Sequence, residues 1–115
     1  MTQTNDIERV VAALSALSGV RRVTRGWPCQ RSADTLPCIA VQKTGESGAG
    51  WRDDSEYLTK LEYTVRVFAA LPEQADALSA DAAQAMQALG YSRQFAWEET
   101  DGRVHQRLIR FVRYV

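Results

Sequence analysis

At 115 residues the chain has the length of one domain, and 45% hydrophobic with 24% charged residues places it near the globular average, which argues against disorder. Lys and Arg number 14 and Asp and Glu 14, so the formal net charge is zero; proteins that grip nucleic acid by neutralising phosphates are usually visibly basic, and tight binding of that kind is not expected. No run approaches the ~18 consecutive apolar residues of a membrane span, and the polar opening Met1–Asp6 lacks the basic and apolar regions of a signal peptide, so a cytosolic protein is expected.

The first element is a helix. Asn5 or Asp6 is suited to cap it, Glu8 favours the dipole in the opening turn, and Ile7, Val10, Val11, Leu14 and Leu17 recur at helical spacing. Gly19 marks its end. Val20 to Arg25 then reads as a short strand, Gly26-Trp27-Pro28-Cys29 as a turn or bulge, and Arg31 to Thr35 as loop. Pro37 stands at the head of a second strand, Cys38 to Lys43, where a missing donor does least harm. Cys29 and Cys38 lie nine positions apart, neither a zinc nor a redox spacing, and are expected as reduced thiols.

Thr44 to Ser55 reads as a long loop, with Gly45, Gly48 and Gly50, the acid pair Asp53-Asp54 and Trp51; loops of this length are uncommon unless functional or disordered. The third strand, Leu58 to Ala70, alternates Leu61, Tyr63, Val65, Val67 and Ala69 with Glu62, Thr64 and Arg66, so one face is buried. Pro72 opens a second helix at its first position, Ala75, Leu78, Ala82, Met86 and Leu89 form its apolar stripe, and Gly90 closes it.

Two strand-like runs follow, separated by a turn at Asp101-Gly102, among the strongest hairpin signals because a type I′ turn needs φ > 0 at both central residues. Phe95 and Trp97 share a face and are expected in the core. The last run ends on Val115 without a polar tail, as a strand held in the sheet. The order α-β-β-β-α-β-β implies a single α+β domain over residues 1–115, a mostly antiparallel sheet of four to five strands with two helices on one face.

No arrangement of residues announces chemistry. His105 is the only histidine and sits in a strand beside a turn, with no nucleophile and acid at triad spacing. Asp53, Asp54 and Glu56 do not meet the spacing of an EF-hand, and the nearby glycines are not followed by the Lys-Ser/Thr of a phosphate loop. Arg103, Arg107 and Arg113 share one parity with His105, Ile109 and Phe111; they either pair with acids across the hairpin, such as Glu98 and Glu99, or form a basic stripe on an interface or channel wall. Trp51, in a polar glycine-rich segment, either folds back over its own domain or meets another subunit.

The succession of these features resembles a known family. An amino-terminal helix leads to the Leu-Pro-x-Ile-x-Val strand at Leu36 to Val41 and a glycine and acid segment ending Asp53-Asp54. The Tyr-x-Val-x-Val-Phe-Ala strand at Tyr63 to Ala69, a helix closing on Leu89-Gly90-Tyr91, and a hairpin whose return strand carries His105, Arg107 and Arg110-Phe111 complete it. This pattern, over residues 6 to 115, resembles the tail-completion or tail-terminator proteins of tailed bacteriophages and prophages. The cysteine pair and the length of residues 44–55 are not general features of such proteins. The resemblance implies a structural virion protein, assembled in the host bacterial cytoplasm, that forms a ring, commonly of six copies, at the head-proximal end of the tail. Its implied partners are further copies of itself, the tail tube protein and the head–tail connector protein, with DNA passing through the lumen without specific binding. Neither a cofactor nor a catalytic group is implied. On this reading Trp51, Asp53, Asp54, Arg103, Arg107 and Arg113 are candidate subunit-interface residues. The competing expectation is a small α+β ligand-binding module or dimeric enzyme built on His105, Tyr63 and the Asp53-Asp54 segment.

Overall fold

A computed structural model describes the backbone of residues 4–26, 36–52, 55–101 and 104–115, and the side chains of residues 6–26, 36–48, 58–100 and 104–115. The elements are α1 (Thr4–Ser15), β1 (Arg22–Arg25), β2 (Cys38–Arg52), β3 (Ser55–Ala69), α2 (Pro72–Ala88), β4 (Ser92–Asp101) and β5 (Val104–Tyr114). The five strands form one sheet in the order β1-β2-β3-β5-β4. The chain is an α+β domain of the expected element order.

Both helices lie on one face. Ile7, Val10 and Leu14 of α1 and Leu78, Ala82 and Met86 of α2 share a cluster with Ile39, Val41, Leu61, Tyr63, Val65, Val67, Ile109 and Phe111. The sheet residues are the alternate positions of β2, β3 and β5, which is what a period of two delivers when one face is covered. On the opposite face a small cluster of Leu36, Cys38, Ala40 and Phe68, with Val104 against it, sits at one end. Cys38 is buried there; Cys29 lies outside the described residues.

Four features differ from the sequence-based expectations. First, α1 begins at Thr4, so Asn5 and Asp6 lie inside its first turn rather than at its cap, and Asp6 is buried. Second, β1 runs parallel to β2, with Val23 opposite Ile39, because the dozen or so residues between them are long enough for a crossover. Trp27 and residues 31–35 of that crossover lie outside the described residues.

Third, residues 44–52 are strand rather than loop, and Ser55 already begins β3. The β2–β3 ladder continues through them to Arg52 opposite Ser55, with three register shifts at Lys43/Gly45, Gly48/Gly50 and Gly50/Trp51. The glycines that suggested a loop sit where the ladder bulges, and a Cβ on Gly45 would stand 3.1 Å from Glu62 Oε2. Strand pairing has overridden a composition poor in β-formers. Fourth, Asp101 pairs with Val104, so residues 102 and 103 are the two between the final strands, one position later than expected; their conformation lies outside the described residues.

The result is a long hairpin arm. β5 ends alongside it, with Val115 N–H donating to Thr59 O at 2.9 Å and Thr59 N–H to Val115 O at 2.8 Å, so the C-terminal residue is held in the sheet. Beyond that level β2 and β3 continue as a pair, and the described residues extend over 53 × 23 × 23 Å.

The end of α2 was fully legible. Gly90 has φ +95°, its N–H donates to Gln87 O at 2.9 Å, and Tyr91 N–H donates to Met86 O at 3.0 Å. This double closure is the Schellman arrangement, and buried Tyr91 against buried Met86 supplies its apolar contact. It turns the chain directly into β4.

Candidate functional site

The sheet has one face covered by the two helices and one that they leave open. On the helix side, Arg107 of β5 joins the sheet to α2. Its Nη1 donates to Asp76 Oδ1 at 2.9 Å and to Glu98 Oε1 at 3.0 Å. The cross-hairpin pairing expected for this arginine is present with Glu98, and Asp76 of α2 is a second partner that spacing along the hairpin could not reveal. Glu99 does not take part; it accepts instead from Trp97 Nε1 at 3.1 Å.

Arg113, on the same face but six residues on, lies with its guanidinium 5.7 Å from the Tyr91 ring centroid. Buried Ile109 and Phe111 separate it from Arg107 by roughly 20 Å of strand, so the two arginines do not form a continuous stripe. Arg103, Asp53 and Asp54 lie outside the described residues. The backbone of Trp51 pairs with Glu56 near the tip of the arm, and its side chain lies outside what is described.

His105 is opposite Ala69 on one side and Thr100 on the other. With Pro72, Asp76, Thr100 and Arg107 it lines a cleft of about 20 Å³, room for roughly one water. Tyr63, the other residue considered for chemistry, is fully buried against Tyr91, the rings edge to face at 5.3 Å. Burial, then the neighbouring Tyr91, pushes the Tyr63 phenol above its ordinary range, and burial raises Tyr91 as well. The two buried hydroxyls are close enough to influence each other, and the buried Asp6 carboxylate has no hydrogen-bond partner. Among the described residues, no group of three His, Cys, Asp or Glu side chains is placed to hold a metal ion, and no helix is long and apolar enough to cross a membrane.

The open face of the sheet carries a feature that the sequence reading assigned to the core. Phe95 and Trp97 are 40% and 37% exposed. The register sets Phe95 opposite Arg110 and Trp97 opposite Leu108, away from Ile109 and Phe111, which face the helices. The two rings stack at 5.0 Å with planes 12° apart, and the Arg110 guanidinium lies 4.8 Å from the Phe95 centroid. The clue lay in parity: any two-residue hairpin connection sets Trp97 opposite an even-numbered β5 residue, whereas the core-facing ones are odd.

β4 is also an edge strand, exposed at every position from Ser92 to Thr100 except Ala96. Its outer backbone edge and this aromatic platform form one continuous surface. Aromatic and arginine side chains held rigid at a surface are the composition of binding hot spots. The geometry therefore suits recognition by shape. No protein-family model matches this chain, and no curated protein matches it.

Proposed function

We propose that this chain is a structural virion protein that forms a ring at the head-proximal end of a phage tail, ends polymerisation of the tail tube and joins the tail to the head connector. The order of sequence features that resembles tail-terminator proteins supports this reading, and one structural observation carries it furthest. The β2–β3 arm continues as two strands past the last residue of β5, with Gly50–Arg52 paired to Ser55–Leu58 and no third described strand beside them. A lone two-stranded hairpin is marginal in water and gains stability from a surface to lie on. A protruding arm on one side of a small domain and an open strand edge on the other are the parts of a head-to-tail contact, which closes into a ring when its rotation divides a full turn. Zero net charge suits a conduit, because each neutralised phosphate would add salt-sensitive affinity for the passing DNA.

The cleft beside His105 has space for little more than one water and lends no support to a substrate there. The reading is tested by deleting the gene from its phage or prophage and labelling particles with a gold-tagged antibody. Expected are label at the capsid–tail junction and, after deletion, headless tails of uncontrolled length. Normal particles after deletion, or label anywhere else, contradict it.

A further inference from the structure

We propose that the open edge of β4 pairs with the same edge of a second copy, antiparallel about a two-fold axis at Trp97, so that two sheets join into one. The inference goes beyond the ring reading and concerns the free protein. It begins with backbone parity. Val115 and Thr59 exchange both of their hydrogen bonds, and the β3–β5 ladder runs on from them without a shift. Odd-numbered residues of β5 therefore bond to β3 and even-numbered ones to β4. The β4–β5 register then ties Phe95, Trp97 and Glu99 to β5 and turns the N–H and C=O of Ala96, Glu98 and Thr100 outward. No strand among the described residues takes them.

Edge strands are commonly guarded by bulges and charges, and here those guards leave one register open. Matching side-chain faces requires the two-fold to pass through a residue. An axis at Phe95 or Ala96 draws the bulge between Arg93 and Phe95 into the ladder at once. An axis at Glu98 or Glu99 sets like carboxylates opposite each other. With the axis at Trp97, the regular stretch Phe95–Glu99 pairs with itself in full. Ala96 and Glu98 of the two copies then exchange about four backbone hydrogen bonds. The two Trp97 side chains form a non-hydrogen-bonded pair, the closer kind, and cover each other's exposed indole. Phe95 faces Glu99 of the second copy. The Arg110 guanidinium lies 4.8 Å from the Phe95 centroid, which brings it beside that carboxylate. Its Nε is buried, but the side chain is only half-buried, leaving the outer nitrogens to donate. Glu99 accepts from its own Trp97 through Oε1, so Oε2 serves the arginine. Glu98 keeps its own Arg107 on the helix side. A two-fold contact closes on itself and covers the edge that a head-to-tail contact would need. The free protein is therefore a dimer that parts before it joins a ring.

Sedimentation equilibrium of the full chain over a micromolar range reads this association, and a monomer–dimer equilibrium is expected. Arg110→Glu and Glu99→Arg should each raise the dimer dissociation constant about tenfold, since each sets like charges together. The double variant exchanges the charges and should restore the original value. Ala96→Pro removes an outward donor that the monomer does not use and should abolish the dimer, with a thermal melt to confirm the fold. For the register, Phe95→Cys copies are mixed with Glu99→Cys copies under mild oxidation. Peptide mass spectrometry should find a disulfide between the two substituted positions. A monomer throughout, a dimer indifferent to Ala96→Pro, a double variant no tighter than the single ones, or no such disulfide overturns the proposal. These readouts use the free protein, so their failure leaves the tail reading standing.

Discussion

Phe95 and Trp97 stack with ring centroids 5.0 Å apart, two residues from one another along an edge strand and on the side of the sheet that the helices leave open. Phe95 and Trp97 are only 40% and 37% exposed, so each still buries much of its side chain, and a stacked aromatic pair adds about 0.5–1.5 kcal/mol beyond that area. Phe95→Ala and Trp97→Ala should each lower stability by about 1–3 kcal/mol. Phe111→Ala, which empties a fully buried site, should cost about 3–5 kcal/mol. Urea denaturation of the three variants checks this. Equal losses at Trp97 and Phe111 would place Trp97 in the core after all.

Gly90→Ala should destabilise by about 1–2 kcal/mol, the cost of a left-handed backbone for an L-residue. Gly19 provides the control: its φ is +89° and a Cβ there meets nothing within 4 Å, whereas at Gly90 it would stand 3.3 Å from Arg113 Nε. The excess loss of Gly90→Ala over Gly19→Ala in thermal melts therefore reads the crowding against Arg113. No excess would mean that the arginine simply moves aside.

Tyr63 predicts an alkaline limit. Its phenol titrates above the ordinary 10.0 in the fold, chiefly through burial, so the folded state holds the proton longer than the unfolded chain. Stability from this source is full below about pH 10 and falls as pH rises from there toward the folded value. Tyr63→Phe should make that decline shallower. It should leave stability near neutral pH within about 1.5 kcal/mol, the net worth of a single side-chain hydrogen bond at most. Urea midpoints on both sides of pH 10 decide the matter, and an identical alkaline slope in the variant contradicts the assignment.

Arg107 shares one nitrogen between two solvent-exposed acids, Asp76 and Glu98, so each ion pair is screened and weak. Asp76→Ala and Glu98→Ala should each cost about 0.5 kcal/mol or less, since the other acid remains. The double variant should cost more than the sum, and the difference should shrink at high salt. Strict additivity in a double-mutant cycle would show that the two acids act independently.

How far the sequence could be read follows from which forces act locally. The Schellman closure at Gly90, the proline at the head of α2 and the alternation in β3 depend on neighbours in the chain, and each stands where spacing put it. The arm was missed because Gly45, Gly48 and Gly50 have low intrinsic strand preference, and partners across the ladder, not the residues themselves, hold them extended. The Phe95–Trp97 platform was missed for a different reason. Aromatic alternation signals a strand with a preferred face, but only the hairpin register tells which side that face takes. Of the candidate interface residues, Arg107 and Arg113 proved to be tied to Asp76, Glu98 and the Tyr91 ring within their own domain.

The most direct test of the proposed role mixes the purified chain with polymerising phage tail tube protein and follows the tubes by cryo-electron microscopy. The account predicts that growth stops on addition and that one end of each tube carries a closed ring of copies, six by the family resemblance. Tubes that lengthen as they do without it, with bare ends, would contradict it.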